Sequence, residues 1–102
     1  MGRREAFLAL LTKKMEYILT FKNTNFAMKA EHALLEQKLN INVLPLPAQI
    51  SAGCGICLGL SPDEVDIGLK TLLESGIDEI GLFSRESADG QYIYTEIHDR
   101  CV

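Results

Sequence analysis

Residues 41–60 read Ile41-Asn42-Val43-Leu44-Pro45-Leu46-Pro47-Ala48-Gln49-Ile50-Ser51-Ala52-Gly53-Cys54-Gly55-Ile56-Cys57-Leu58-Gly59-Leu60. Two short apolar runs, 41–44 and 56–60, flank a segment of prolines and glycines that holds no helical pattern, so two strands follow one another without an intervening helix. Pro45 and Pro47 close the first run, because proline donates no ladder hydrogen bond.

Working outward from this pair, Glu16-Tyr17-Ile18-Leu19-Thr20-Phe21 is β-branched and aromatic and reads as a strand. Asn23-Thr24-Asn25 then offers an N-cap, and Phe26, Ala30, Ala33 and Leu34 recur at helical spacing up to a stop near Asn40. On the other side, Ser61-Pro62-Asp63-Glu64 has the form of a helix start, with Ser61 as N-cap, Pro62 at the first helical position and Glu64 closing a capping box. Val65, Leu69, Leu72 and Leu73 make the buried stripe, Ser75-Gly76 the stop, and Ile80-Gly81-Leu82-Phe83 the next strand. The order β-α-β-β-α-β predicts an α+β, ferredoxin-like split βαβ sandwich, an antiparallel sheet with two helices on one face. Ala88-Asp89-Gly90 is a hairpin turn, and residues 91–97 alternate as a fifth, edge strand.

The organisation expected is an N-terminal extension over 1–14, a domain over 15–86, and a C-terminal hairpin strand and tail over 87–102. The extension carries basic residues around a six-residue apolar run, Ala6 to Leu11, which is short for a signal peptide and lacks a small-x-small cleavage site. It reads as a helical extension or the product of an early start codon, since Met15 stands directly before the first strand.

Composition narrows the function classes. A net charge of −4 with scattered lysines and arginines argues against nucleic acid, which needs a concentrated basic surface. No apolar run approaches the length of a membrane span, so a water-soluble chain is expected. Three cysteines are an odd number, which suits a reducing, cytoplasmic setting better than a disulfide framework.

The chemistry points to sulfur. Cys54 and Cys57 form a Cys-x-x-Cys pair, and a thiolate is both a nucleophile and a soft metal ligand. Gly53 and Gly55 flank Cys54, permit positive φ, and let a turn aim backbone N–H groups at the sulfur. Cys57 lies between Ile56 and Leu58 and also reads as a small core residue. Fully extended, residues 54 and 57 would stand ~10 Å apart at Cα, beyond the ~7 Å a disulfide spans, so a redox pair needs a bend at Gly55-Ile56. Redox pairs of this spacing open a helix, whereas the helix signal here begins later, at Ser61. A metal reading would join Cys54 and Cys57 to His98 and Cys101 as a zinc site. A third reading is a noncatalytic domain that docks or forms a homodimer through an exposed sheet face or edge. No phosphate-binding loop or lysine in a cofactor setting is present, so no cofactor is expected.

Three segments carry a family resemblance: Thr24-Asn25-Phe26-Ala27-Met28-Lys29-Ala30-Glu31, Pro45-Leu46-Pro47, and Ile50-Ser51-Ala52-Gly53-Cys54-Gly55. With them, residues 16–85 resemble the Se/S carrier protein-like domain family. The resemblance implies a reactive Cys54 that carries sulfur or selenium as a persulfide or selenopersulfide, with Ser51, Gly53 and Gly55 shaping the site. It implies as partners a cysteine desulfurase or selenocysteine lyase as donor and an acceptor enzyme, so that the chain is an accessory carrier rather than a stand-alone enzyme. Family members often carry arginines where this chain has Ala48 and Gly59, and a small apolar residue in place of Cys57. Cys57 is thus a resolving thiol or a core replacement.

Overall fold

The computed structural model describes residues 15–97. Its elements run β1 (Met15–Thr20), α1 (Thr24–Glu36), β2 (Ile41–Pro45), β3 (Ile56–Leu60), α2 (Val65–Glu74), β4 (Gly81–Ala88) and β5 (Gln91–Glu96). The five strands form one sheet in the order β2-β3-β1-β4-β5, and every neighbouring pair is antiparallel. The fold is therefore α+β, with a five-stranded antiparallel sheet and two helices. No described helix is long and apolar enough to cross a membrane.

Strand alternation sorts the sheet into two unlike faces. On one, Leu19, Leu58, Leu60 and Leu82 meet Ala27, Ala30 and Leu34 of α1 and Val65, Leu69 and Leu72 of α2 in a single apolar core. Burying each large side chain there contributes about 1.5–3 kcal/mol. Among the described residues, the other face carries no helix. Its smaller core is Ile18, Cys57 and Ile50, with Leu44, Leu46, Phe83 and Tyr94 packed around it. Ile50 comes from the connection between β2 and β3, which folds back over the sheet it joins.

Most expected elements are present, with instructive shifts at their ends. Asn23 caps α1 as expected, its side-chain oxygen accepting from the Phe26 N–H at 2.9 Å. The Ser61 capping box does not form. Residues 61–64 make a turn, closed by the Glu64 N–H donating to the Ser61 carbonyl at 3.0 Å, and α2 begins at Val65. The Glu64 carboxylate instead accepts from the Asn40 N–H at 3.2 Å, tying α2 to the loop after α1. Leu73, expected in the buried stripe, is exposed. Gly68 is buried instead, and an added Cβ there would stand 3.0 Å from Leu60 Cδ1, so close that the leucine would have to shift. Strand β4 runs to Ala88 rather than ending at Phe83, since it pairs with β1 on one side and β5 on the other. The hairpin turn is as expected, with Asp89 and Gly90 both at positive φ.

Candidate functional site

The connection between β2 and β3 carries Ser51, Gly53, Cys54 and Gly55, and Cys57 follows on β3 itself. The base of the connection is closed by the Leu46 N–H donating to the Gly55 carbonyl at 2.9 Å. Ile50, 5% exposed, plugs the helix-free face, and its N–H donates to the Pro47 carbonyl at 3.0 Å. Past Ile50 the backbone crosses the end of β1 and delivers Cys54 to the opposite, helix-covered core. The connection therefore wraps the end of the sheet, with one apolar side chain on each side.

Gly53 explains how it can pass. A Cβ on Gly53 would collide with the backbone carbonyl oxygen of Lys22, just beyond β1, so only glycine lets the two backbones come this close. Neither Gly53 nor Gly55 takes up the positive φ that glycine permits. Gly53 is needed for approach, while a Cβ on Gly55 would meet nothing within 4 Å. Ser51, Gly53 and Gly55 are all exposed, but Cys54 between them is only 4% exposed. Its thiol donates to the Ile56 carbonyl at 3.0 Å. In this contact the thiol acts as a hydrogen-bond donor to the backbone. For Cys54 to act as a nucleophile, this hydrogen bond must open and the sulfur must reach solvent.

Beside this crossing lies a shallow depression of about 220 Å³, lined by Thr20, Phe21, Lys22, Ser51, Gly53 and Glu79 among others. The Lys22 ammonium lies 3.5 Å from the Glu79 carboxylate and 3.9 Å from that of Asp78, and rests 4.7 Å over the Phe26 ring. Lys22 is the residue that sequence reasoning missed here. The signal for it was indirect: a glycine required at Gly53 implies a backbone pressed against it, without saying which.

Cys57 stands in different surroundings. It lies on β3 opposite Leu44, is fully buried, and belongs to the helix-free core with Ile18 and Ile50. Burial pushes its thiol up to about 11; Arg85 opposes the rise, while Cys54 and Glu16 add to it. Its sulfur lies 3.7 Å from the Pro45 carbonyl oxygen. Both described cysteines are free thiols, and their side chains enter cores on opposite faces of the sheet. Among the described residues, no three His, Cys, Asp or Glu side chains gather as a metal site. His98 and Cys101, the other half of the zinc reading, lie outside the described residues.

A second cluster sits further along the helix-free face. Arg85 pairs with Glu16 across the β1–β4 ladder and stacks over the Tyr92 ring at 4.3 Å. Burial lowers its pKa, but hydrogen bonding to Tyr94 and the Glu16 charge outweigh this and leave it raised. Met15, Glu16, Arg85, Ser87 and Tyr92 line a cavity of about 370 Å³ there. The pairing of Glu16 with Arg85 became visible only once the register was known.

With this geometry in place, the comparisons define the class. The chain matches the family described as "Putative Se/S carrier protein-like" over residues 16–84, and it belongs to that family. No curated protein and no solved structure matches it.

Proposed function

We propose that this chain is a sulfur or selenium carrier and that Cys54 is the atom-bearing residue. The observation that carries this reading is family membership combined with the setting of Cys54, the described cysteine held by a loop with exposed glycines on both sides. In the loading step the Cys54 thiolate attacks the terminal chalcogen of a donor persulfide or selenopersulfide. A bond forms between Cys54 Sγ and that atom, the donor's S–S or S–Se bond breaks, and the electron pair leaves on the donor's cysteine thiolate. In delivery an acceptor nucleophile attacks the same terminal atom and Cys54 leaves as thiolate. Neither step needs an oxidant or a bound cofactor. A desulfurase or selenocysteine lyase is the donor class that such chemistry requires.

Cys57 takes a packing role in this account. Its full burial, its raised pKa and its place on the other face all work against attack on a Cys54 adduct. The fold is read as the ferredoxin-like split βαβ, with β5 added at an edge. The support is the sheet order, in which β2, β3, β1 and β4 are successive neighbours, and the packing of both helices into one core.

The test is to incubate the chain with a cysteine desulfurase and cysteine, in parallel with a selenocysteine lyase and selenocysteine, and to read intact mass without reductant. A gain of one sulfur or selenium atom in the wild type and in Cys57→Ala, absent in Cys54→Ser, is the expected result. No gain in any variant, with zinc protecting the thiols from alkylation, would overturn the carrier reading in favour of a metal module.

A further inference from the structure

Cys54 presents a conflict between packing and chemistry. It is 4% exposed in the helix-covered core, and its thiol is held by the Ile56 carbonyl, yet a carrier must meet a donor's persulfide in line. The two ends of the segment that holds it are fixed. At one end Ile50 is buried against Ile18 and Cys57; at the other the Leu46–Gly55 hydrogen bond closes the base of the connection, and β3 begins at Ile56. Between these points residues 51–54 cross the end of β1. There Gly53 lies against the Lys22 backbone by surface contact, a shape that any side chain would destroy. At Gly55 the flank is open, since a Cβ built there would meet nothing within 4 Å.

We propose that residues 51–54 form a strap that keeps Cys54 shut in the empty carrier and swings outward as a unit, pivoting at Ser51 and Gly55, to expose it for loading. The inference rests on the carrier reading for its purpose, but the opening is a property of the unloaded chain and is measured without any chalcogen. In the closed state Cys54 fills the core. In the open state the thiol loses the Ile56 carbonyl and reaches solvent, while Ile50, Cys57 and the β3 ladder stay in place. Loading biases the strap outward, because a further sulfur or selenium atom on a packed side chain overfills the core. The carrier then presents different surfaces when empty and when full, so that an acceptor can distinguish the two.

The experiment is alkylation of the full chain by iodoacetamide at fixed pH over a series of sub-denaturing urea concentrations, read cysteine by cysteine from peptide masses. A local opening labels its thiol at a rate nearly independent of urea, whereas a thiol freed by global unfolding labels with the full urea slope. The strap predicts a nearly flat urea dependence for Cys54 and a steep one for Cys57, with Cys54 the faster by about 100-fold or more without urea. It further predicts that Gly53→Ala, which forces the strap away from Lys22, speeds Cys54 by roughly tenfold or more with its flat urea dependence kept, while Cys57 keeps its steep slope and speeds only by the factor that the lost global stability sets. Equal rates with equal steep slopes in the wild type would overturn the strap, and so would labelling of Cys54 as fast as a free thiol. The wild-type comparison decides the matter even where Gly53→Ala unfolds. A flat Cys54 response in a chain that takes up no chalcogen would retain the strap and remove the carrier.

Discussion

Cys54 and Cys57 are three residues apart and almost equally buried, yet their backbones could hardly be held more differently. Cys57 lies inside β3, a strand paired on both sides, opposite Leu44 of β2 and next to a ladder with β1. Freeing it means breaking the sheet. Cys54 lies in the connection that wraps the sheet's end, where a close backbone contact at Gly53 and one thiol hydrogen bond hold it. Static exposure does not separate the two thiols. What separates them is the cost of opening the backbone that carries each, and local opening is far cheaper in a loop than in a doubly paired strand.

The largest expected effect of breaking this comparison is at Cys54 itself. Cys54→Ser should abolish chalcogen loading, a loss of at least about 100-fold in adduct yield by intact mass, because the hydroxyl is no nucleophile at neutral pH. Gly53→Ala comes next. Its Cβ collides with the Lys22 carbonyl, and the clash should cost about 1–3 kcal/mol in urea denaturation. Gly55→Ala is its control two residues on, where the space is open and φ is ordinary, and should change stability by no more than about 0.5 kcal/mol. Equal effects at the two glycines would show that Gly53 is not pressed against Lys22.

A smaller effect sharpens the Cys57 side. Cys57→Ala removes one buried sulfur and should lower stability by about 1–2 kcal/mol while leaving loading intact. Loss of loading with stability preserved would reverse the assignment of roles. The same variant isolates a pH effect. Burial raises the Cys57 pKa from 9.0 in the unfolded chain to about 11, so between those values the unfolded state gives up a proton that the folded state keeps. The contribution is therefore complete below pH 9 and is lost as pH rises towards 11. Wild type minus Cys57→Ala stability should fall across that window, measured by urea denaturation at each pH, and a flat difference would mean that the thiol is more solvated than its surroundings imply.

Much of the scaffold was legible in the sequence because it rests on local signals. Asn23 as a cap, Gly76 at positive φ after α2, Asp89-Gly90 in the hairpin, and the alternation that sets the strands all depend on a few neighbouring residues. The α2 start was misread for a physical reason: the Glu64 carboxylate that fits a capping box is taken up by the Asn40 N–H, 24 residues away in sequence. The cysteine pair was legible as two thiols beside a glycine-flanked turn, but its division between two faces was not, since it depends on the connection crossing the end of β1. The glycines drew attention for the wrong property, conformational freedom rather than closeness to Lys22.

The most direct measurement is to locate the atom. Wild-type chain loaded by a desulfurase or a selenocysteine lyase is digested without reductant, and tandem mass spectrometry places the added chalcogen on a particular cysteine. The account predicts the added atom on Cys54, with Cys57 recovered as an unmodified thiol. An adduct on Cys57, or a Cys54–Cys57 disulfide with the chalcogen released, would contradict it.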